Sequence, residues 1–422
     1  MTNSRRAMLP AQRFAFYGEK NKKHFYDGYG KGETIVIFGF SEEQSAFRDN
    51  IRKFTQKEIA PLATVIDREH RFPVETIKKF GKLGYMGFPF PEEYGGLGLN
   101  TTYKAIFIEE VAKACASTAV IMLVHLGAGC SPVYLYGTEE LRQKYLVPSC
   151  DGRYLAAFAL TEPDCGSDNA NLRCAAVRRG ENYIINGEKI FITNGGYADY
   201  YVTMVRTNPE IKGYKGISAL IVDKETPGLK VGKPIEKMGL HGSATVPLSF
   251  EDCAVPVANR LLAEGNGLNV ALGVLNGGRV VVGAQGVGIA QGCLEHTIAY
   301  IKERRQFGRS IASNQGVQWM ISEMVTQIEA ARLLVYKAAW CEDVNHPEAM
   351  VAASMAKWFG TDAAMKVTTE CVQLFGGYGY CKEYPVERYM RDAKATQIYE
   401  GTNEIQKMVI SRKVLDLKSG KA

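Results

Sequence analysis

The sequence predicts a three-part protein: an N-terminal all-helical domain, a small middle β-domain of barrel or sandwich type, and a C-terminal four-helix bundle. Three observations carry this reading. Apolar residues recur at helical spacing up to about residue 157. From there to about residue 255, short apolar runs alternate with turn signals and no long helix intervenes. From about Gly267 the helical period returns, in runs long enough to pack side by side. With 422 residues, 46% of them hydrophobic, the chain can build cores for more than one domain.

Residues 1–39 lack a period and read as an extension of unclear role, within which ETIVIFGF suggests a short strand. The start, MTNSRRAMLPAQRF, is Arg-rich but has no apolar core of a secretory signal. Asp27 and Glu33 follow soon after, which favours a plain extension over a transit peptide. The first domain is read as 40–157. SEEQ puts Ser41 at a helix N-cap and Gln44 at N3, a capping box, and Phe47, Ile51 and Phe54 follow at helical spacing before Pro61. FPVETIKKFGKLGYMG predicts a second helix with Pro73 in its first turn, and 101–117, 119–136 and 139–147 read as further helices.

The middle domain is read as 158–270. In ENYIINGEKIFITNGG the Asn186-Gly187 pair between apolar runs predicts a hairpin turn. YYVTMVRT and ISALIVD read as half-buried strands, and LKVGKP and VPLSFEDCAV continue the style. The last domain is read as 271–422, with helices over 267–301, 314–343, 347–375 and 402–417. Glycines in LNGGRVVVGAQGVGIAQG cost helix propensity, so close backbone packing or a bend is expected there.

Composition excludes several classes. A net charge of +6, scattered along the chain, gives no footprint for nucleic acid. The ten cysteines form no CxxC pair and no zinc spacing, so free thiols in a reducing compartment and no metal are expected. No unbroken apolar run reaches about 18 residues, so no membrane span is expected. There is no GxGxxG fingerprint, Walker A sequence or GxSxG elbow; GAQGVG at 283–288 has the wrong spacing and a helical context. His125, in VIMLVHLGAG, reads as packed or cleft-lining rather than catalytic.

Four stretches carry candidate chemistry. QIYEGTNEIQ sets Glu400 between Tyr399 and Gly401, just ahead of an amphipathic helix. It is either a solvated acid or a base held against a substrate. FALTEPDCGSD, residues 158–168, is either a β-domain entry loop or a backbone and hydroxyl cradle for a polar ring edge and phosphate oxygens. FITNGG places Thr193 at a strand end. ERRQFG and QLFGGYG offer an Arg, an aromatic ring and close-approach glycines suited to a diphosphate and an adenine.

Taken in order, EEYGGLG, FALTEPDCGSD, EKIFITNGG, ERRQFG, QLFGGYGY, YPVERYMRDAK and QIYEGTNEIQ resemble the acyl-CoA dehydrogenase family, from about Phe40 to Leu417. Each motif alone is weak; the ordered set is specific. The resemblance implies a helix–β–helix architecture, non-covalent FAD and a homotetramer. It also implies α,β-dehydrogenation of an acyl-CoA to the trans-2-enoyl-CoA, in fatty acid β-oxidation. The Cα proton goes to a carboxylate and the Cβ hydride to flavin N5, with electrons passed to electron-transferring flavoprotein. Location is then the cytoplasm of a bacterium or the mitochondrial matrix of a eukaryote.

The resemblance places the base at Glu400, as in the short- and medium-chain, butyryl-CoA dehydrogenase-like branch. The isovaleryl branch takes its base from a helix position before an Arg, which here is Gly278 before Arg279. For the flavin it implies Phe158, Leu160 and Thr161 at the pyrimidine edge, Thr193 at N5, and Phe191 where some relatives have Trp. Ser167 is expected near flavin or substrate phosphates. Arg304, Phe307, Gln373, Gly376 and Gly377 are expected to hold the diphosphate and adenine, partly across a subunit interface. Thr402 and Glu404 are expected to complete the cofactor pocket. For the substrate it implies Arg279, Tyr399, Gly401 and Asn276, the last where several members have Asp. The Glu400 N–H is expected to polarise the thioester carbonyl.

Glutaryl-CoA dehydrogenases carry an Arg in an early helix; the matching position is Ile108, which disfavours glutarate. Very long chain members and oxidases carry C-terminal additions, and this sequence stops at Ala422. A short or medium acyl chain is expected, butyryl-CoA first, with residues from Glu109 to Leu126 setting pocket depth. The alternatives are an oxidase of the same fold, or a non-catalytic relative that binds DNA or serves assembly. A weakly basic end, SRKVLDLKSGKA, and the presence of Glu400 and Thr193 disfavour the latter.

Overall fold

The computed structural model describes residues 39–417. The strand expected in ETIVIFGF and any role of the N-terminal extension fall outside the described residues. At the start of helix α1 (Glu42–Phe54) the capping box is formed: Ser41 N–H donates to Gln44 Oε1 at 3.0 Å, and Gln44 N–H to Ser41 Oγ at 3.2 Å.

Helices α2 (Val74–Lys82), α3 (Thr101–Ala112) and α4 (Ala116–Val124) follow. Pro73 sits at the N-cap of α2, where its missing N–H costs nothing. Asn100 caps α3 by accepting from Tyr103 N–H. Most residues of α3 and α4 are buried, so both are core helices.

Eight strands build the middle sheet: β1 (Ala156–Ala159), β2 (Ala175–Arg179), β3 (Asn182–Thr193), β4 (Tyr200–Arg206), β5 (Ile217–Asp223), β6 (Leu229–Val231), β7 (Thr245–Pro256) and β8 (Arg260–Leu261). The order is β6-β7-β3-β2-β4-β5-β8, with β1 parallel to β4. The expected hairpin at Asn186-Gly187 is not there. The turn lies earlier, at Gly180-Glu181, where Gly180 takes φ +59° and Arg179 pairs with Asn182. Asn186 instead sits at a bulge inside β3 and clamps β7: its Nδ2 donates to Asp252 Oδ1 at 3.0 Å, and Asp252 N–H donates back at 2.8 Å. Buried Ile185 and Ile192 on either side keep β3 one strand.

The C-terminal part is built from α5 (Gly267–Glu303), α6 (Gln315–Asp343), α7 (Ala349–Phe375), α8 (Val386–Thr396) and α9 (Asn403–Val414). Helix α8 was not anticipated: only short apolar steps mark it between polar neighbours. Strand β1 begins at Ala156 and α5 at Gly267, so the expected domain boundaries at 157/158 and 270/271 fall within elements. The glycines of α5 serve close packing rather than a bend. A Cβ at Gly283 would lie 2.8 Å from Ala356 O, and one at Gly286 2.7 Å from Gly360 O, so α5 and α7 meet nearly backbone to backbone.

Two stretches, Ala116–Tyr136 and α5, are long and apolar enough to cross a membrane, contrary to expectation. In this fold 78% and 72% of their apolar windows are buried, which makes them core helices. Among the described residues no cluster of metal-ligating side chains occurs.

Candidate active site

Glu400 follows α8 and precedes α9, with φ +56° beside Gly401 at φ +86°. A left-handed non-glycine residue is costly and marks a position held by its surroundings. The holding is visible. Gln406 Nε2 donates to Gly401 O at 2.9 Å and to Glu400 O at 3.2 Å. A Cβ at position 401 would crowd that nitrogen at 2.7 Å, and φ +86° is a conformation that favours glycine. Tyr399 is pinned by its hydroxyl to Gln285 Oε1 on α5, and Gln285 Nε2 reaches Ala116 O at 3.1 Å.

The side chain points at α5. A Cβ at Gly278 would lie 2.9 Å from Glu400 Oε2, so the carboxylate rests on bare backbone. Although an edge of the residue is accessible, Oε2 itself is sealed and has no hydrogen-bond partner. Burial pushes the Glu400 pKa from 4.5 up to about 7, against the opposing pull of Arg279 and Lys357. Its N–H also lacks an intrachain acceptor among the described residues.

Two cations stand behind the acid. Arg279 donates to Asn276 Oδ1 at 3.0 Å, while its Nε is buried without a partner. Asn276, expected at the substrate, therefore has its oxygen engaged in orienting Arg279. Lys357 was missed by the sequence reading. It lies fully buried on α7, and burial brings its pKa down to about 7, with Glu400 the main opposing charge. It donates to Asn403 Oδ1 at 2.8 Å, and Asn403 Nδ2 donates to Thr361 Oγ1 at 2.9 Å and Asp362 Oδ1 at 2.7 Å. A single Lys in the Ala-rich run AASMAKWFGTDAA is the signal that could have found it.

Thr402, expected in the cofactor pocket, caps α9 by accepting from Ile405 N–H at 3.4 Å, and Glu404 is exposed beside it. Gly278 also lines a pocket, partly open to solvent, walled by Ile108, Leu123, Leu126 and Val281 together with Lys104 and Glu342. Ile108 is thus at the pocket, and Leu123 and Leu126 come from the stretch expected to set its depth.

The β-domain group is assembled at the ends of β1 and β3. Ile190 N–H donates to Thr161 O at 2.9 Å, and buried Lys189 reaches Leu160 O at 3.1 Å and Glu162 Oε1 at 2.8 Å. Phe158 is half-buried in β1. The hydroxyls of Thr161, Ser167 and Thr193 have no hydrogen-bond partner among the described residues. Phe191, at φ +61°, is 60% exposed. Buried Asn194 ties this edge to α4 through Ile121 O at 3.1 Å and to β1 through Ala156 O at 3.2 Å. His125 sits beneath it, with Nε2 3.1 Å from Met86 O and Ala156 N–H donating to Nδ1 at 3.2 Å. Burial lowers its pKa to about 4, so it is a neutral packing group as expected.

A third group lies elsewhere. Phe307 and Gly308 form the turn of a hairpin in which Gln306 pairs with Arg309, and Phe307 is fully exposed. Arg304 stands 5.3 Å over the Tyr378 ring, next to exposed Gln373, Gly376 and Gly377. From Gly278 to Arg304 the chain climbs about 39 Å along α5, at about 1.5 Å per residue. The third group is therefore far from Glu400 within one chain.

A recessed carboxylate with an unpartnered oxygen, resting on a glycine that lines a mostly apolar pocket, is chemically suited to accept a proton. The matching family descriptions are "Acyl-CoA dehydrogenase, N-terminal domain" over residues 41–153, the middle domain over 157–253 and the C-terminal domain over 265–415. The chain belongs to the acyl-CoA dehydrogenase family, a class of flavoprotein oxidoreductases in fatty acid metabolism. It is 48% identical over 377 residues to the short-chain specific acyl-CoA dehydrogenase of Clostridium acetobutylicum, covering 89% of this chain and 99% of that protein. It matches the structure of butyryl-CoA dehydrogenase from Megasphaera elsdenii with a TM-score of 0.87 and 42% identity, over 90% of this chain and 100% of that one. It also matches a chain from work on the electron transferring flavoprotein of Acidaminococcus fermentans and flavin-based electron bifurcation, at TM-score 0.88 and 46% identity, with 90% and 100% coverage.

Proposed function

We propose that this protein dehydrogenates a short-chain acyl-CoA at Cα and Cβ, with Glu400 as the base that takes the Cα proton. The observation that carries this is the sealed, unpartnered Glu400 Oε2 resting on Gly278, which lines a mostly apolar pocket. A carboxylate with one oxygen sealed from water and a pKa of about 7 is poised to accept a proton at neutral pH. Gly401 lets the backbone pass close, and the free Glu400 N–H polarises the thioester carbonyl as negative charge develops on its oxygen. Arg279 and Lys357 keep Glu400 ionisable despite its burial.

The β-domain edge suits FAD. Unpartnered hydroxyls at Thr161 and Thr193 and the exposed Phe191 ring offer a hydrogen-bonding rim and an aromatic face, and Phe158 and Leu160 supply backbone beside them. FAD, when bound, supplies the hydride acceptor at N5 and passes electrons on, with electron-transferring flavoprotein as the natural acceptor. Ser167, exposed and with its hydroxyl free of a partner among the described residues, is assigned to phosphate oxygens. The third group is farther from Glu400 than one FAD spans. We therefore assign Arg304, Phe307, Gln373, Gly376 and Gly377 to the diphosphate and adenine of FAD on a neighbouring protomer, an arrangement that needs at least a second copy and fits the homotetramer typical of the family. A fully exposed Phe307 supports such a contact, because an apolar ring in water gains by being covered. The bacterial relatives favour the cytoplasm.

The test is anaerobic addition of butyryl-CoA to the FAD-loaded protein and to Glu400→Gln. Bleaching of the flavin band in the first and not the second supports the reading; bleaching at equal rates overturns it.

A further inference from the structure

Among the described residues, one pair of charged side chains in the pocket is used neither by the fold nor by the site above. Lys104, in the first turns of α3, and Glu342, near the end of α6, both line the pocket that starts at Gly278. Neither side chain makes a hydrogen bond, nor an ion pair within 4.0 Å, among the described residues. The contrast with the next residue is sharp. Asp343 is fully engaged at the N-terminus of α3, accepting from Thr101 N–H at 2.6 Å, Thr102 N–H at 3.1 Å and Thr102 Oγ1 at 2.6 Å. Glu342 has no such task.

Gly277 marks where the two meet. A Cβ there would lie 3.5 Å from Glu342 Oε1 and 3.9 Å from Lys104 Nζ. Gly277 adjoins the glycine under the Glu400 carboxylate, and both glycines line the same pocket as the pair. Burial lowers the pKa of Lys104 and raises that of Glu342, and each opposes the shift in the other. The remaining wall, at Ile108, Leu123 and Val281, is apolar.

We propose that Lys104 and Glu342 together read a hydroxyl on the distal carbon of a short acyl chain, so that the preferred substrates are short ω-hydroxyacyl-CoA thioesters. This rests on the reading of Glu400 as the base. An alkyl terminus would cover both groups and offer neither a hydrogen bond, leaving only their mutual attraction. A distal carboxylate would suit Lys104 but meet Glu342 as a like charge, and an ammonium would do the reverse. A hydroxyl accepts from the Lys104 ammonium, donates to the Glu342 carboxylate, and adds no net charge. The dehydrogenation itself is unaltered: Cα loses a proton, Cβ a hydride to the flavin, and the hydroxyl stays on its carbon.

The FAD-loaded full-length protein would be mixed with butyryl-CoA, 4-hydroxybutyryl-CoA, pentanoyl-CoA, 5-hydroxypentanoyl-CoA and glutaryl-CoA, recording flavin bleaching, kcat/KM and Kd. At least one hydroxyacyl thioester should exceed its chain-matched alkyl partner in kcat/KM by about tenfold or more, because a site built around hydrogen bonds rejects an analogue lacking them. Lys104→Met and Glu342→Gln should each pull that ratio towards one, with the change mainly in KM and Kd. Flavin absorbance of each variant reports whether it is folded, and the wild-type ratio decides even if neither variant is. Alkyl thioesters equal or better, glutaryl-CoA best, or a ratio unmoved in folded variants would overturn the proposal. Bleaching by alkyl thioesters alone sinks only this inference; no bleaching by any of them sinks the underlying reaction as well.

Discussion

Glu400 and Gly278 are complementary: the carboxylate of one occupies the space that any side chain on the other would fill, 2.9 Å from the missing Cβ. Helix α5 thus carries a gap where the isovaleryl branch carries its base, and the loop before α9 supplies the acid that fills it.

That fit predicts the effect of a methyl group. Gly278→Ala should push the carboxylate off its position and lower kcat on the order of tenfold to a hundredfold. Thermal stability should barely move, because Gly278 faces the site rather than another helix. Kinetics and a melting curve on the same preparation check both halves.

Glycines facing α7 should behave in the opposite way. Gly286→Leu drives a side chain into the Gly360 carbonyl, 2.7 Å from the first added carbon. It should cost about 1–3 kcal/mol or more of stability. Urea unfolding of the variant, with a midpoint shifted well below wild type, is the expected result.

The pH profile follows from the base. With the Glu400 pKa at about 7, the ionised fraction of the free protein falls tenfold per pH unit below that value. Log kcat/KM should rise with unit slope to about pH 7 and then level. A flat profile between pH 5.5 and 8.5 would remove Glu400 as the base.

Lys357 should act through that same limb. Its charge lowers the Glu400 pKa, so Lys357→Met should move the limb to higher pH, by about one unit. A structural role alone would lower activity without moving the limb.

The buried acid also has a stability signature. Its pKa is raised on folding from 4.5 to about 7, so the folded chain binds a proton more tightly than the unfolded one. The penalty is absent below about pH 4.5 and complete above about pH 7. Glu400→Gln should therefore stabilise the protein at pH 8, by at most about 3 kcal/mol, with no gain at pH 4. Denaturant unfolding at the two pH values measures the difference.

Much of this was legible in the sequence, for identifiable reasons. The long helices of the C-terminal part announce themselves by period and length, and the Ser41–Gln44 box by two residues. Glu400 stood out because an acid between an aromatic residue and glycine fits no ordinary cap. Asn186-Gly187 misled because a pair suited to a turn also suits a bulge, and only the partner Asp252 on β7 decides between them. Helix α8 hid because its pattern is short and its neighbours polar. Lys357, Lys104 and Glu342 could not be ranked, since a charge on a helix is solvated by default until the fold shows what covers it. Arg279 was found, but not that Asn276 orients it.

The most direct test of the central claim is the rate of anaerobic flavin reduction by butyryl-CoA in wild type and in Glu400→Gln, both loaded with FAD and matched in visible spectrum. The account predicts a loss on the order of a hundredfold to ten-thousandfold in the variant, with FAD binding intact. Equal rates in the two proteins would show that another group takes the Cα proton.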